Sequence, residues 1–390
     1  MFKEQNAVMS TYNRFPISIV KGEGSYVWDQ NGIKYLDYTA GIGTCNLGHR
    51  PVTVESALQE QLSKLWHCSN LYTIPHQEQL AEKLTANSIF DQVFFCNSGA
   101  EANEAAIKLA RRYAQKVKQT NQYEIVTFKQ SFHGRTLATL YATGQEKIQD
   151  GFAPRTPGFR YLPYNDFDAL DQLVQEETCA VMLELVQGEG GVNPADQAWL
   201  DQLVKLCKAN DLLIIVDEVQ TGMGRTGTLF AYEQYQIDPD IVTLAKGLGS
   251  GFPVGALLAN NKVAQAFTPG SHGSTFGGNP LAMTAGLATL EQMTSSSFFP
   301  ELSKNIEYLW LELQTVCKQF KQVKGLRGKG YLIGIEVEGQ AVDYVHRARE
   351  EHQLLILVAG PKVIRLLPPL TTTKSEIDQF INTIKTIFAD

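Results

Sequence analysis

Six short apolar runs recur along the chain, at 92–96, 124–128, 179–185, 212–217, 241–245 and 254–259. Most are rich in β-branched or aromatic side chains, and none shows the polar–apolar alternation of a half-solvated strand. That is the pattern of strands covered on both faces. Longer helix-patterned stretches lie between them. Within 196–208, Trp199, Leu200, Leu203, Val204, Leu206 and Cys207 recur at helical spacing, and Asn210 is placed to stop the helix. This alternation predicts an α/β fold built on a large, doubly wound, mostly parallel sheet. Ligands of such sheets bind beyond the carboxyl ends of the strands, so polar residues that directly follow an apolar run are the first place to look for chemistry.

The chain has 390 residues, more than the ~250–300 that one core usually supports. From about Asn279 the texture changes: helical patterns over 281–293 and 301–320 precede short strands around 331–337 and 363–366. A last helix is announced by the capping box Thr373-x-x-Glu376, with Ile377, Phe380, Ile381 and Ile384 on one face. This predicts a second, smaller α+β domain. With 34 Lys and Arg against 41 Asp and Glu, the net charge is −7, and no basic stripe suggests a nucleic-acid partner. No apolar run approaches the ~20 residues of a membrane span. The start, 1–10, is polar and carries no signal core, and the six cysteines (45, 68, 96, 179, 207 and 317) form no Cys-x-x-Cys pair. The expectation is a cytoplasmic protein with reduced thiols. The seven histidines form no His-Glu-x-x-His, so no protein-bound metal is expected.

Four segments after strand runs hold residues a plain scaffold does not need. Phe94 to Asn103 runs from an apolar strand through Asn97-Ser98-Gly99 into an alanine-rich helix expected to reach Lys116, and such a helix start is an anion site. Asp217 ends the run 212–217, where a carboxylate is costly unless paired. Lys246 ends the run 241–245 and is followed by Gly247, and a desolvated lysine has a lowered pKa and forms Schiff bases. Ser131-Phe132-His133-Gly134-Arg135-Thr136 sets an aromatic and an arginine in a glycine turn. Phosphate anchor, buried acid, strand-end lysine and stacking ring together are what pyridoxal 5′-phosphate requires, the acid keeping the pyridine nitrogen protonated.

On the stretches 97–108, 131–136, 181–192, 217–227, 244–256 and 272–280, the sequence resembles the class III, pyridoxal-phosphate-dependent aminotransferases of fold type I. Within that family it lies nearest the enzymes acting on acetylated ornithine, and the resemblance covers nearly the whole chain. It implies transfer of the terminal amino group of N2-acetyl-L-ornithine to 2-oxoglutarate in arginine biosynthesis. Ornithine, succinylornithine, N-succinyldiaminopimelate and 4-aminobutyrate remain the alternative donors. By the same resemblance Lys246 is the Schiff-base lysine and Asp217 the partner of the pyridine nitrogen. Val219 packs behind the ring, Phe132 stacks on it and Gln220 bonds its phenolic oxygen. Gly99 and Ala100 bind the phosphate by backbone N–H groups, and Ser98 and Glu218 complete the cofactor set. Arg135 holds a substrate carboxylate. Arg365 receives the second carboxylate of glutamate, and Glu189 covers it when the donor is bound. Ser274 and Thr275 reach the partner subunit's site, Thr275 touching its cofactor phosphate, which implies a homodimer with shared active sites. The implied division is an N-terminal segment (1–45) packing with the small domain, a large cofactor-binding domain (46–280) and a small C-terminal domain (281–390).

The chain departs from the family in two places. Glu184-Leu185-Val186-Gln187-Gly188-Glu189-Gly190-Gly191 has Leu185 where relatives often carry proline, a change of backbone stiffness that removes no chemical group. Ile42 stands where ornithine aminotransferases carry a carboxylate-binding tyrosine, which favours the N-acylated donor. A rival reading is the literal G-x-G-x-x-G at Gly222–Gly227, the fingerprint of a dinucleotide-binding dehydrogenase. Against it, β-branched and aromatic residues follow where a helix should open, the motif lies mid-chain, and Asp217 and Glu218 stand where pyrophosphate would approach. A catalytically silent homologue has no support either, since Lys246, Asp217 and Arg135 are all present.

Overall fold

The computed structural model describes residues 7–389; residues 1–6, which begin the expected N-terminal segment and its polar run, and residue 390 lie outside the described residues. The chain opens with an antiparallel meander of β1 (Ile19–Glu23), β2 (Tyr26–Asp29) and β3 (Lys34–Asp37). Helices α1 (Val52–Leu62) and α2 (Pro75–Ala86) follow, then β4 (Gln92–Cys96), α3 (Gly99–Arg112), β5 (Glu124–Phe128), β6 (Phe159–Leu162) and β7 (Thr178–Leu183). The short pair β8 (Val186–Gln187) and β9 (Asn193–Pro194) leads into α4 (Gln197–Ala209), β10 (Leu213–Asp217), β11 (Ile241–Leu244) and β12 (Gly255–Ala259).

Seven of these strands form the main sheet, in the order β4-β12-β11-β10-β7-β5-β6. Pairing is parallel from β11 to β6, and β12 alone runs antiparallel to its two neighbours. All six apolar runs are strands of this sheet. The seventh, β6, has the weaker pattern Phe-Arg-Tyr-Leu, only Leu162 of it being buried, because it lies at the sheet's edge. The unbroken apolar character of the central strands has a direct cause: alternate residues go to opposite covered faces. Ile125, Ala180, Met182, Leu213 and Ile215 pack with Ala105, Ala106 and Leu109 of α3. Val126, Phe128, Val181, Leu183, Ile214 and Val216 pack on the other face with Trp199 of α4. Trp199 is fully buried, meets Phe128 edge-on at 5.2 Å, and donates its ring N–H to the Asp166 carbonyl. Asp196 caps α4 by accepting the Trp199 N–H at 2.9 Å, and Ser98 caps α3 from the Glu101 N–H. Helix α3 ends in one π turn over Tyr113–Val117, close to the expected Lys116.

The C-terminal part comprises α5 (Pro280–Met293), α6 (Phe298–Gln319), β13 (Val323–Lys329), β14 (Leu332–Val337), α7 (Ala341–His352), β15 (Leu354–Leu355), β16 (Leu357–Val358), β17 (Val363–Leu366) and α8 (Lys374–Ala389). Strand β13 escapes a sequence reading because Val-Lys-Gly-Leu-Arg-Gly-Lys is charged and broken by glycine; it completes an antiparallel sheet, β13-β14-β17-β16. The capping box of α8 forms, with the Thr373 N–H donated to Glu376 Oε2 at 2.7 Å and the Glu376 N–H to Thr373 Oγ1 at 3.3 Å. Strand β15 pairs in parallel with β3, so the N-terminal meander closes onto the C-terminal part. Tyr38 adds to that closure, its ring 4.8 Å from Phe380 and its hydroxyl bonded to Thr372.

The segment Gly222–Gly227 opens no helix. It is a run of turns in which Gly224 (φ 83°) and Gly227 (φ 107°) take left-handed conformations and Arg225 is fully buried. A Cβ on Gly224 would lie 2.6 Å from Leu370 Cδ1, so that glycine serves packing and not a pyrophosphate. Among the described residues, no helix is long and apolar enough to cross a membrane, and no cluster of three or more His, Cys, Asp or Glu could hold a metal.

At the end of β3, the Asp37 carboxylate takes Nε2 of His49 at 2.8 Å while its other oxygen caps the Thr39 and Ala40 N–H groups. Burial alone would lower the pKa of His49, but hydrogen bonds to Asp37 and Cys45 lift it to about 10. A base whose folded pKa is raised stabilises fully below its unfolded value of ~6.5 and loses that contribution as pH climbs to the folded one. His49→Gln should therefore cost stability at pH 6 and progressively less toward pH 10. Melting temperatures of both proteins across that range check it, and a pH-independent difference would refute the pairing.

Candidate active site

The carboxyl ends of the main-sheet strands open into a cavity of about 410 Å³. Its walls include Ser98, Gly99 and Ala100 after β4, Phe132 and Arg135 after β5, Glu189 after β8, Asp217, Val219 and Gln220 after β10, and Lys246 after β11. Residues as far apart in the sequence as Ser98 and Lys246 thus share one hollow, as the sheet architecture dictates.

Asp217 is its buried anchor. Oδ2 accepts from Nδ1 of His133 and from Nδ2 of Asn103, both at 2.8 Å, and Oδ1 accepts the Val219 N–H at 3.0 Å. A carboxylate only accepts, so the His133 proton sits on Nδ1, leaving buried Nε2 without a partner. Asn103 is held in turn by Thr243 Oγ1 at 2.7 Å and by the His133 carbonyl at 2.8 Å. Glu184 lies behind this group, accepting the N–H groups of Phe132 and Gly188. Burial, with a contribution from the Asp217 charge, pushes its carboxyl up to about 7.

Lys246 follows β11 in a left-handed conformation (φ 40°) at the start of a single 3₁₀ turn. A lysine held there is strained, and the surrounding structure must hold it. Burial lowers its pKa, with Glu189 opposing and the Arg365 charge reinforcing the shift. The Lys246 ammonium makes no hydrogen bond or ion pair among the described residues. The charges beyond it are arranged asymmetrically. Arg365, on β17, is buried and donates Nη1 to Glu189 Oε1 at 2.6 Å and to the Gly188 carbonyl at 3.1 Å. Burial alone would raise the Glu189 carboxyl, but Arg365, with smaller effects of Lys246 and Arg135, holds it below its usual value. Arg135 is exposed, its guanidinium 5.7 Å from the Phe132 ring, and has no ion-pair partner among the described residues.

The cavity is shaped for a ligand with several polar points. The first-turn N–H groups of Gly99 and Ala100 have no acceptor within α3. Gln220 Oε1 is buried with no partner, and a Cβ on Gly188 would lie 2.1 Å from it. A Cβ on Gly99 would lie 2.6 Å from Val219 Cγ1, so the cradle between helix start and Val219 exists only because residue 99 is glycine. An anion site, an unpaired lysine, a fixed carboxylate and an unpaired amide oxygen fit pyridoxal 5′-phosphate.

Comparison with known proteins agrees. Residues 7–388 match the class-III aminotransferase family. The chain is a class-III aminotransferase. Family members work with pyridoxal 5′-phosphate. The aminotransferase is 56% identical over 385 residues to the acetylornithine aminotransferase of Oceanobacillus iheyensis, covering 99% of this chain and 96% of that one. Its fold is similar to that of N-acetylornithine aminotransferase from Stenotrophomonas maltophilia, at TM-score 0.85, 38% identity and 97% coverage of both chains. It is also similar to an ornithine aminotransferase structure from Toxoplasma gondii, described with pyridoxal phosphate at its active site, at TM-score 0.92, 32% identity, and 98% and 92% coverage.

Four residues expected in the aminotransferase's site lie outside this cavity. Glu218 faces the opposite way, its carboxylate accepting the Ala231 and Tyr232 N–H groups at 2.7 and 2.8 Å, so it supports a turn and contacts no ligand space. Arg365 lies behind Glu189. Ser274 and Thr275 line a separate hollow with Phe94, Glu101 and His272. Ile42 is also absent from the walls; its neighbour Thr44 lines them. Asn103, His133 and Glu184 belong to the site and were missed. The spacing of Asn103, on the same helix as the anion site and facing the sheet, is a signal that could have found it.

Asn103→Ala should destabilise the protein by about 2–4 kcal/mol, since it removes a charge-assisted bond to Asp217 and strands the Thr243 hydroxyl. Chemical denaturation measures this, and a loss below about 1 kcal/mol would show the network to be dispensable.

Proposed function

We propose that the protein transfers the terminal amino group of N2-acetyl-L-ornithine to 2-oxoglutarate, giving N-acetylglutamate semialdehyde and glutamate, a step of arginine biosynthesis. Relatives named for that donor, at 50–56% identity over nearly the full length, support the reading. The observation that carries the substrate logic is the unequal state of two arginines, one lining the cavity and one behind Glu189 of its wall. Arg135 is open, whereas Arg365 is buried and masked by Glu189. A donor with one carboxylate remote from its reacting amine needs one open cation, and Arg135 supplies it in bidentate fashion. Glutamate and 2-oxoglutarate carry a second carboxylate beside the reacting carbon, and Arg365 receives it once Glu189 swings aside.

Pyridoxal 5′-phosphate, when bound, supplies the electron sink for proton removal from the amino-bearing carbon. Lys246 would hold it covalently, with Asp217 at its ring nitrogen, Gln220 at its phenolic oxygen, Phe132 and Val219 on its faces, and Ser98, Gly99 and Ala100 at its phosphate. The His133 and Asn103 bonds hold Asp217 in place. Lys246, its pKa lowered by burial, spends more time as a neutral amine and so serves as the base that takes and returns the substrate's proton.

The reading includes a homodimer in which Ser274 and Thr275 complete the partner's site. Exposed Trp66, Leu71 (88%) and Tyr72 support it, as apolar groups that a second copy would cover. It also keeps the division at 1–45, 46–280 and 281–390, supported by the β3–β15 pairing, and a cytoplasmic location, supported by six free cysteines.

Lys246→Ala should fold yet lose at least 10²–10⁴-fold in kcat, roughly the worth of a general base. Assays of a panel of amino donors with 2-oxoglutarate test both lysine and substrate. Retention of more than about a hundredth of the activity would reject the lysine's role, and preference for free ornithine or 4-aminobutyrate would reject the donor. Arg365→Ala should slow the glutamate half-reaction selectively, by about 10–150-fold, the worth of one charge-assisted contact. Glu189→Ala should instead raise reactivity with α-amino donors at the expense of acetylornithine. Single-turnover kinetics separates the halves; equal losses for Arg365→Ala would reduce its pair with Glu189 to scaffold.

A further inference from the structure

Arg225, from the glycine-rich turn that serves no dinucleotide, is among the largest fully buried side chains of the protein, and no carboxylate pairs with it among the described residues. Burying an unpaired cation is expensive, and an apolar side chain would fill the same space more cheaply. What an apolar side chain lacks is the guanidinium fork. Nη1 donates to the carbonyls of Pro368 (2.5 Å) and Tyr331 (3.3 Å), and Nη2 donates to Oδ1 of Asn46 at 2.7 Å. Three stretches of chain remote in sequence therefore converge on one planar group.

The other end of that convergence is the lysine turn. Asn46 Nδ2 donates to the Met223 carbonyl at 2.6 Å, and the Asn46 carbonyl accepts the Leu370 N–H at 2.7 Å. The same Nδ2 would lie 2.1 Å from a Cβ on Gly247, so the Asn46 amide closes directly on the bare Cα beside Lys246. The turn has few bonds of its own: Leu248 N–H to Ala245, Gly249 N–H to Lys246 and Ser250 N–H to Gly247, at 2.8, 3.2 and 3.3 Å. Lys246 stays in its left-handed conformation only while its surroundings hold it. Pro368 lies two residues beyond β17, the strand that carries Arg365.

We propose that Arg225 is a positioning residue, which acts through Asn46 to lock the turn carrying Lys246 against the end of the strand carrying Arg365. The inference rests on the roles given to those two residues above, but its test does not. Arg225→Lys keeps the charge and loses the fork; Asn46→Ala keeps Arg225 and removes the contact with Gly247; Asn46→Asp restores an acceptor for the guanidinium. Hydrogen–deuterium exchange of the holoenzyme reads the turn directly, independently of which substrate is used. In Arg225→Lys and Asn46→Ala the N–H groups of Leu248, Gly249 and Ser250 should exchange about 10-fold faster or more, the effect of one lost charge-assisted bond. Those of β10 should stay within about twofold, and Asn46→Asp should lie nearer wild type than Asn46→Ala. Transamination should then fall in kcat with KM nearly unchanged. Unchanged exchange in the turn, or a rise spread evenly over the main sheet, would overturn the proposal and leave Arg225 a general staple. Should Arg225→Lys fail to fold, the two Asn46 variants decide the matter alone. Altered exchange in an enzyme that prefers another donor would uphold the clamp while rejecting the donor.

Discussion

A carboxylate fixed at the end of a buried strand is the constraint around which this site is organised. Asp217 is almost wholly removed from water, and three donors meet its carboxylate there, offsetting the cost of burying it. Those donors come from α3, from the turn after β5 and from the backbone beyond β10. Satisfying one charge therefore fixes the relative position of three elements. The same helix that sends Asn103 to the carboxylate presents its free N-terminal N–H groups to the cavity. Anion site and acid are thus held at a set separation by one rigid rod.

The cations obey a different logic. Lys246 and Arg135 line the cavity while Arg365 lies behind Glu189 of its wall, and each is treated differently. The lysine is desolvated and unpaired, Arg135 is left open to water, and Arg365 is buried behind a carboxylate. Partial neutralisation by Glu189 makes the cluster tolerable and at the same time makes it selective. In the proposed function, a ligand carboxylate would reach Arg365 by displacing Glu189, so the cost of opening that pair would fall on dicarboxylic substrates. Arg225 adds a fourth cation, away from the cavity, whose value is directional: its fork ties together three loop segments remote in sequence.

Much of this was legible in the residues. The six apolar runs predicted the main sheet because strands covered on both faces must be apolar at every position, a local property that survives any change of context. The end positions of Asp217 and Lys246 followed from the same runs, and the Asn-Ser-Gly helix start from its capping chemistry. Strands β6 and β13 were illegible because an edge strand and a glycine-broken hairpin bury too little to leave a pattern.

The sequence by itself therefore determined the sheet and its two covering layers, and it marked Asp217, Lys246 and the Asn97-Ser98-Gly99 helix start as polar groups at the strand ends. Each is written in a short stretch where solvation alone dictates residue type. Only the tertiary structure decided which polar side chains face one another. Glu218, beside Asp217 in sequence, turns away to hold the Ala231 and Tyr232 N–H groups, because successive residues leaving a strand point to opposite sides. His133 and Asn103, far off in sequence, are the groups that meet Asp217. Arg225, within a motif that reads as a phosphate loop, lies buried among carbonyls. Partnership of this kind depends on where separate chain segments cross, and no local pattern of hydrophobicity or charge encodes that crossing.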